Sequence, residues 1–413
     1  MAVLTSLLDA RRFMMRGLLA GLIAVALGAG PATAANQSVQ GAKKEEGGFE
    51  AQAPTAILLD AESGSVLFEK NADELRAPSS MMKLMTVEVV FHLLKTGALQ
   101  LAQEYRVSEN SWRYGGAPAG GSTMFAEIHS SISVDNLLRG AIIQSGNDSC
   151  MVLAEGIAGS EAAFVERMTK RARELGLTQS TFGNSTGLPN PDNKMSVREL
   201  ARLARHIILT YPDMYALFGE KEFTWNKIRQ TNRNPLLNAL PGADGFKTGF
   251  TKEGGYGLVG SAVQNGMRLI VVVNGLESAD DRASEAKKLL EWGFRNFESR
   301  SLFASDATVG YARVFGGDKR YVPLTPAEPV RVMVRRNGSD KLLARIVYQG
   351  PVPAPVEGGQ RIGLVRVWRG PNVAVEVPLK AAEANPVGST MRRALDGASE
   401  LMIGVLRASM AKL

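Results

Sequence analysis

The run from Met81 to Leu94 is apolar on most sides. A helix of that kind has to be surrounded by other elements, because no side of it suits water. Arg76-Ala77-Pro78-Ser79-Ser80 stands just ahead of it, and Pro and Ser favour a helix start. Any chain carrying this run must therefore build a domain around it. Ser80 and Lys83 lie three apart on the first turn, so their side chains share a face. A hydroxyl held beside an amine, with free backbone N–H groups at a helix N-terminus, lets a serine act as nucleophile without histidine.

The rest of the chain narrows the choice. Its 413 residues suffice for two domains. A single cysteine, Cys150, excludes an intramolecular disulfide framework and a cysteine metal cluster. His92, His129 and His206 show no metal-ligand spacing, so neither metal nor cofactor is expected. They leave a Ser-His-Asp enzyme arithmetically open, but a lysine base is the stronger reading. The net charge of +7 suits an anionic surface or wall polymer, and no basic tract is dense enough for nucleic acid.

Residues 1–34 read as an export signal. Arg11, Arg12 and Arg16 precede the apolar stretch Leu18 to Leu27 and the small-residue site Ala32-Thr33-Ala34. The polar residues 35–52 read as a mobile leader. Thr55 to Asp60 and Val66 to Lys70 predict a β-hairpin. A buried helix follows over 80–96, with Gly97 as its C′ residue. Residues 113–123 are a glycine-rich loop, and 134–175 look helical, with Cys150 on the same helix as Ser145. Ser196 and Glu199 resemble a capping box. Tyr256 to Val263 and Met267 to Asn274 flank Asn265-Gly266, a type I′ hairpin signal. An amphipathic helix over 278–297 closes the domain. Hairpins at both ends predict one antiparallel sheet built from both termini of an α+β domain.

From about residue 299 short β-branched segments separated by Gly and Pro turns predict a small all-β sandwich. They run from Val309 to Val314, Val330 to Val334, Ala344 to Tyr348 and Val373 to Val377. The tail from Met391 to Leu413 places Met391, Leu395, Ala398, Met402 and Val405 at helical spacing, as in a helix lying on a membrane surface. A helix packed on its own domain or a partner would look similar.

Ser-x-x-Lys occurs three times, at Ser80/Lys83, Ser284/Lys287 and Ser409/Lys412, and only the first opens a buried helix. Lys-Thr-Gly occurs twice. Lys95-Thr96-Gly97 reads as a helix end, and Lys247-Thr248-Gly249 leads into the last hairpin. Each alone has a bland reading: Ser80 a helix cap, Ser145 and Asn147 a turn, Lys247 a surface charge. The order Ser80-x-x-Lys83, Ser145-Gly146-Asn147, Lys247-Thr248-Gly249 within one domain carries the information.

That order resembles the penicillin-binding serine hydrolases, which include D-alanyl-D-alanine peptidases and serine β-lactamases. The wording around each motif is similar to the low-molecular-weight D-alanyl-D-alanine carboxypeptidases. It covers Arg76 to Thr86, Gln144 to Asp148, Phe182 to Pro189, Arg233-Asn234 and Asp244 to Gly249. Phe250 departs from the pattern, since many relatives have His there.

The resemblance implies a β-lactamase/transpeptidase-like α+β domain over 53–298. It further implies a β-sandwich over 299–382, and a linker and amphipathic membrane-surface helix over 383–413. It implies that Ser80 attacks the carbonyl between two terminal D-alanines of a peptidoglycan stem peptide, with Lys83 as base and Ser145 as proton relay. Asn147 would bind Lys83 or the substrate amide, and Lys247 and Thr248 its carboxylate. Gly249 would admit the substrate against the strand, and the N–H groups of Ser80 and Phe250 would form the oxyanion hole. β-Lactam antibiotics would acylate Ser80, and the protein would sit outside the inner membrane, in the periplasm. An endopeptidase acting on cross-links is the nearest alternative. A class A β-lactamase fits less well, lacking a convincing Glu-x-x-Leu-Asn loop, and a non-catalytic wall-binding protein sits poorly with an intact nucleophile.

Overall fold

The computed structural model describes residues 49–338, 340–370 and 372–399. The expected export signal, most of the leader and the end of the tail lie outside them. In chain order the first part comprises β1 (Thr55–Asp60), β2 (Val66–Lys70), α1 (Lys83–Lys95), β3 (Glu104–Arg106) and β4 (Ser131–Ser133). Next come α2 (Val134–Ile142), α3 (Asn147–Ala158), α4 (Glu161–Glu174), α5 (Val197–Thr210) and α6 (Pro212–Tyr215). It closes with β5 (Glu222–Trp225), β6 (Ile228–Thr231), α7 (Leu236–Ala239), β7 (Ala243–Thr251), β8 (Gly255–Gln264), β9 (Met267–Leu276) and α8 (Ala279–Asn296).

One sheet organises this part, in the order β2-β1-β9-β8-β7, with every pair antiparallel. Strands from the two ends of the domain meet, as the two hairpins predict. Asn265 and Gly266 both take positive φ at the β8–β9 turn, the requirement of a type I′ turn. The central strands are apolar almost throughout because both faces are covered. Ile57, Ile270 and Val272 join the core that surrounds α1. α8 packs on the other face, where Gly293 lets it approach Leu58 and Leu269. Every residue of α1 from Lys83 to Phe91 is buried.

The helical stretch expected over 134–175 is three helices, and the first break is functional in position. Ser145 has φ +65° and Gly146 precedes the first residue of α3, so Ser145 stands outside the helix that holds Cys150. Apolar periodicity runs straight across this break, which hides it from a pattern reading. The Ser196–Glu199 capping box is half formed. Ser196 Oγ accepts the Glu199 N–H, but the Glu199 carboxylate turns instead to Ser180 and the Gln179 N–H.

The second part is all β. It holds β10 (Phe297–Phe303), β11 (Gly310–Phe315), β12 (Tyr321–Pro326), β13 (Val330–Arg335), β14 (Leu342–Tyr348), β15 (Val352–Pro353), β16 (Arg361–Arg369) and β17 (Asn372–Ala381). β10 pairs with β13, and the other six form one sheet in the order β14-β16-β17-β12-β11-β15. Val330, Val332 and Val334 of β13 share a core with Val365, Val367 and Leu379. Arg369 joins the two parts by donating to the Val66 carbonyl at 2.7 Å and the Met333 carbonyl at 3.0 Å. A terminal helix occupies residues 390–399.

Candidate active site

Ser79–Met82 form one 3₁₀ turn ahead of α1. Residues three apart eclipse one another in that geometry, which stacks Ser80 over Lys83. Pro78 takes the cap position and no side chain caps the turn, so the Ser80 hydroxyl is not spent there. Lys83 Nζ donates to Ser80 Oγ at 3.0 Å, to Asn147 Oδ1 at 2.7 Å and to the Thr186 carbonyl at 2.5 Å. Ser80 is half-buried, whereas Lys83 is buried. Burial, reinforced by the nearby Arg233 charge, pulls the Lys83 pKa down to about 8. The amine therefore reaches its neutral, proton-accepting form near physiological pH.

Two polar clasps hold the walls. Asn184 Oδ1 accepts from the Thr186 and Gly187 N–H groups, shaping the turn that presents the Thr186 carbonyl. Thr86 Oγ1 bonds the Ser185 carbonyl and pins this turn to α1. Gly187 has φ +78°, and a Cβ there would lie 2.1 Å from the Ser79 carbonyl oxygen, so only glycine fits. On the other wall, the buried Asp148 carboxylate accepts from Thr123 Oγ1 and from the N–H groups of Met124 and Ala126. That fixes the loop beside Asn147.

β7 forms the third side. Ser79 Oγ and Thr251 Oγ1 are 2.8 Å apart, tying the strand to the 3₁₀ turn. At Gly249 a Cβ would come within 3.0 Å of the Pro78 carbonyl oxygen, which explains glycine in this strand. Lys247 Nζ donates to the Thr248 carbonyl at 3.1 Å. Burial, then the charges of Lys83 and Arg233, hold Lys247 well below the usual lysine range. The Phe250 ring is half-exposed and stacks on Tyr256 at 4.1 Å.

Hydrogen bonds thus unite Ser80, Lys83 and Asn147, and Lys247 joins them through its charge. Ser145 Oγ is buried and has no hydrogen-bond partner among the described residues. Burial pushes the Cys150 thiol up to about 11, which leaves it protonated and unreactive. The sequence reading left out the Thr186 carbonyl, the Asp148 clasp and the influence of Arg233. Ser284/Lys287 lies on α8 with Ser284 exposed, as expected of a solvated face, and Ser409/Lys412 lies outside the described residues.

A serine beside a buried, pKa-lowered lysine, between a helix start and the edge strand of an antiparallel sheet, defines a serine hydrolase of the penicillin-binding kind. The sequence profile of the D-alanyl-D-alanine carboxypeptidases matches residues 39–278. That of the C-terminal domain of penicillin-binding protein 5 matches residues 297–386. The chain is 41% identical over 355 residues to the D-alanyl-D-alanine carboxypeptidase DacC of Escherichia coli, covering 85% of this chain and 87% of that one. With DacF of Bacillus subtilis the identity is 33%, over 80% and 85% of the two chains. Penicillin-binding protein 5 from Haemophilus influenzae superposes with a TM-score of 0.74 at 35% identity, over 82% of this chain and 99% of that one. Penicillin-binding protein D2 of Listeria monocytogenes, solved in its cefotaxime-bound form, gives 0.55 at 27% identity, over 60% and 99%. The chain belongs to the D-alanyl-D-alanine carboxypeptidase family.

Proposed function

We propose that the protein is a serine-type D-alanyl-D-alanine carboxypeptidase acting on peptidoglycan stem peptides, and that β-lactams acylate it. The observation that carries this reading is the contact between Ser80 Oγ and the buried Lys83 amine. Neutral Lys83 takes the Ser80 proton as Oγ attacks the carbonyl between the two D-alanines. The C–N bond then breaks, the released D-alanine amine gains a proton relayed through Ser145, and the peptide remains esterified to Ser80. Water hydrolyses the ester and restores the hydroxyl.

Asn147 orients Lys83 and the substrate amide. Lys247 and Thr248 hold the terminal carboxylate, whose negative charge stabilises the Lys247 cation that burial and the neighbouring cations disfavour. Gly249 lets the substrate lie along β7, and the Ser80 and Phe250 N–H groups stabilise the oxyanion. Arg233 and Arg282, the latter with its guanidinium 5.5 Å from the Tyr256 ring centre, add to the positive field.

Release of D-alanine from a peptide ending in D-Ala-D-Ala, compared between residues 35–413 and the Ser80→Ala variant, is the decisive assay. Release abolished by the substitution is the expected result. A folded wild type that releases nothing, yet opens cross-linked dimers, would turn the assignment to an endopeptidase.

The same reading includes export through residues 1–34, a leader to 52, a catalytic domain over 53–298, a sandwich over 299–382 and a membrane-surface segment over 383–413. Among the described residues no helix is long and apolar enough to cross a membrane. Support for surface attachment comes from the terminal helix, whose Met391 and Leu395 are 76% and 63% exposed.

A further inference from the structure

The terminal helix is amphipathic in an inverted sense. Its polar side faces the protein: Asp396 is buried and accepts the Gly316 N–H at 2.9 Å, and Ser399 Oγ accepts from the Arg313 guanidinium at 3.0 Å. Its apolar stripe, Met391, Ala394, Leu395 and Ala398, faces away and is exposed. The approach is close on the protein side. The Gly388 N–H bonds the Gly316 carbonyl, and the Arg393 side chain lies over Gly316. A tail that merely packed on its own domain would bury the stripe and expose the carboxylate.

The helix is fastened to the β11–β12 hairpin. Along β11, Ala312 and Val314 enter the core while Tyr311, Arg313 and Phe315 alternate outward. Tyr321 of β12 lies directly across from Arg313 and therefore on the same face. Tyr311, Phe315 and Tyr321 are 62%, 36% and 50% exposed. Arg313 belongs to both features, since it sits among these aromatics and holds Ser399.

We infer that the outward face of the β11–β12 hairpin and the apolar stripe of residues 390–399 form one composite surface that docks on an anionic lipid bilayer. This rests on the membrane-surface reading above and adds that the sandwich itself touches the lipid. Tyrosine suits the water–lipid boundary, where its ring is buried and its hydroxyl stays wet. Arg320, Arg392 and Arg393 place cations around the apolar groups, which anionic headgroups complement.

Sedimentation of residues 35–413 with phosphatidylglycerol-containing vesicles, and with phosphatidylcholine vesicles as the uncharged control, tests this. Tyr311→Ser/Phe315→Ser/Tyr321→Ser should weaken binding to the anionic vesicles by about tenfold or more and leave D-alanine release from a soluble peptide unchanged. A fluorescent label on Tyr321→Cys should shift to the blue with those vesicles; buried Cys150 leaves the new thiol as the reactive one. Wild-type binding in the triple variant, or an unshifted label while the protein is bound, would overturn the composite surface and leave the tail acting alone. No binding of the wild type to either vesicle would instead overturn the membrane reading beneath it. A lipid-free dimer lost in the triple variant would reassign the face to self-association.

Discussion

At the scale of single residues, the proposed chemistry depends on one lysine being uncomfortable. Lys83 is surrounded by acceptors, yet burial holds its pKa down to about 8. On the proposed mechanism the base must be neutral to take the Ser80 proton, so acylation should rise with pH towards about 8. It should fall again where Lys247, itself held below the usual lysine range, loses its charge. A pH profile of kcat/KM for a D-Ala-D-Ala peptide would show that limb; a flat profile between about pH 6 and 9 would contradict Lys83 as base. Lys83→Arg, which keeps a charge but cannot lose it, should lower kcat/KM by about a hundredfold or more. The gathering of Ser80, Lys83, Asn147 and Lys247 was legible because side-chain chemistry at fixed spacing leaves a mark in sequence. The Thr186 carbonyl was not, because a backbone acceptor carries no residue signature; its one trace is the Asn184-Ser185-Thr186-Gly187 turn that shapes it.

At the scale of elements, α1 is held by a buried ionic cluster five residues beyond its lysine. Glu88 is fully buried and accepts from Arg171 at 3.0 Å and from Tyr211 Oη at 3.0 Å, with His206 Nε2 at 3.2 Å. Burial pushes the Glu88 carboxyl up, but the hydrogen bonds from His206, Arg171 and Tyr211 outweigh it and leave the pKa below the usual range. Removing one partner of such a cluster strands the others, so Glu88→Gln should cost about 3 kcal/mol in urea unfolding at neutral pH. A carboxyl with a lowered folded pKa stabilises above its unfolded pKa, about 4.3, and that contribution fades as pH falls through the folded value. The gap between wild type and variant should therefore narrow below about pH 4.3; an equal gap at every pH would contradict the ionic account. Sequence reading finds α1 as a buried helix but gives no reason for a Glu within it. The partners come from α4, α5 and the residue that follows α5, far along the chain. The break at Ser145-Gly146 was missed for a related reason: apolar spacing registers which side is buried and is blind to one positive φ.

For the whole molecule, the two parts meet at the β1–β2 hairpin, where Arg369 from the sandwich bonds Val66 and Ser65 Oγ bonds the Ala374 carbonyl at 2.5 Å. These contacts are accompanied by the Arg331–Glu62 ion pair at 3.2 Å and by the Trp292 ring, which meets both Phe68 and Phe297. Each polar contact, worth on the order of 1 kcal/mol, is therefore one of several. Arg369→Ala should lower the calorimetric midpoint by about 2–4 °C while leaving D-alanine release from a soluble peptide unchanged. A single transition at the wild-type temperature would show that the parts are coupled elsewhere. The all-β character of this half was plain from β-branched runs and turn residues. Its docking was not, because one arginine reaching a carbonyl has no periodicity to read.

The sheet order has a consequence in time as well as in space. Thr55 bonds the Asn274 carbonyl across 219 residues of chain, and contacts so distant in sequence form slowly because a long loop must close first. Ser80 is synthesised early, yet β7, which completes its site, has no place until β8 and β9 have been made and β1 has found its partner. On the proposed mechanism, a chain still emerging from the ribosome would carry the nucleophile without the strand that holds the substrate. The hydrolase would then be silent until its last sheet strand arrives, the order of the strands acting as a delay on its first turnover.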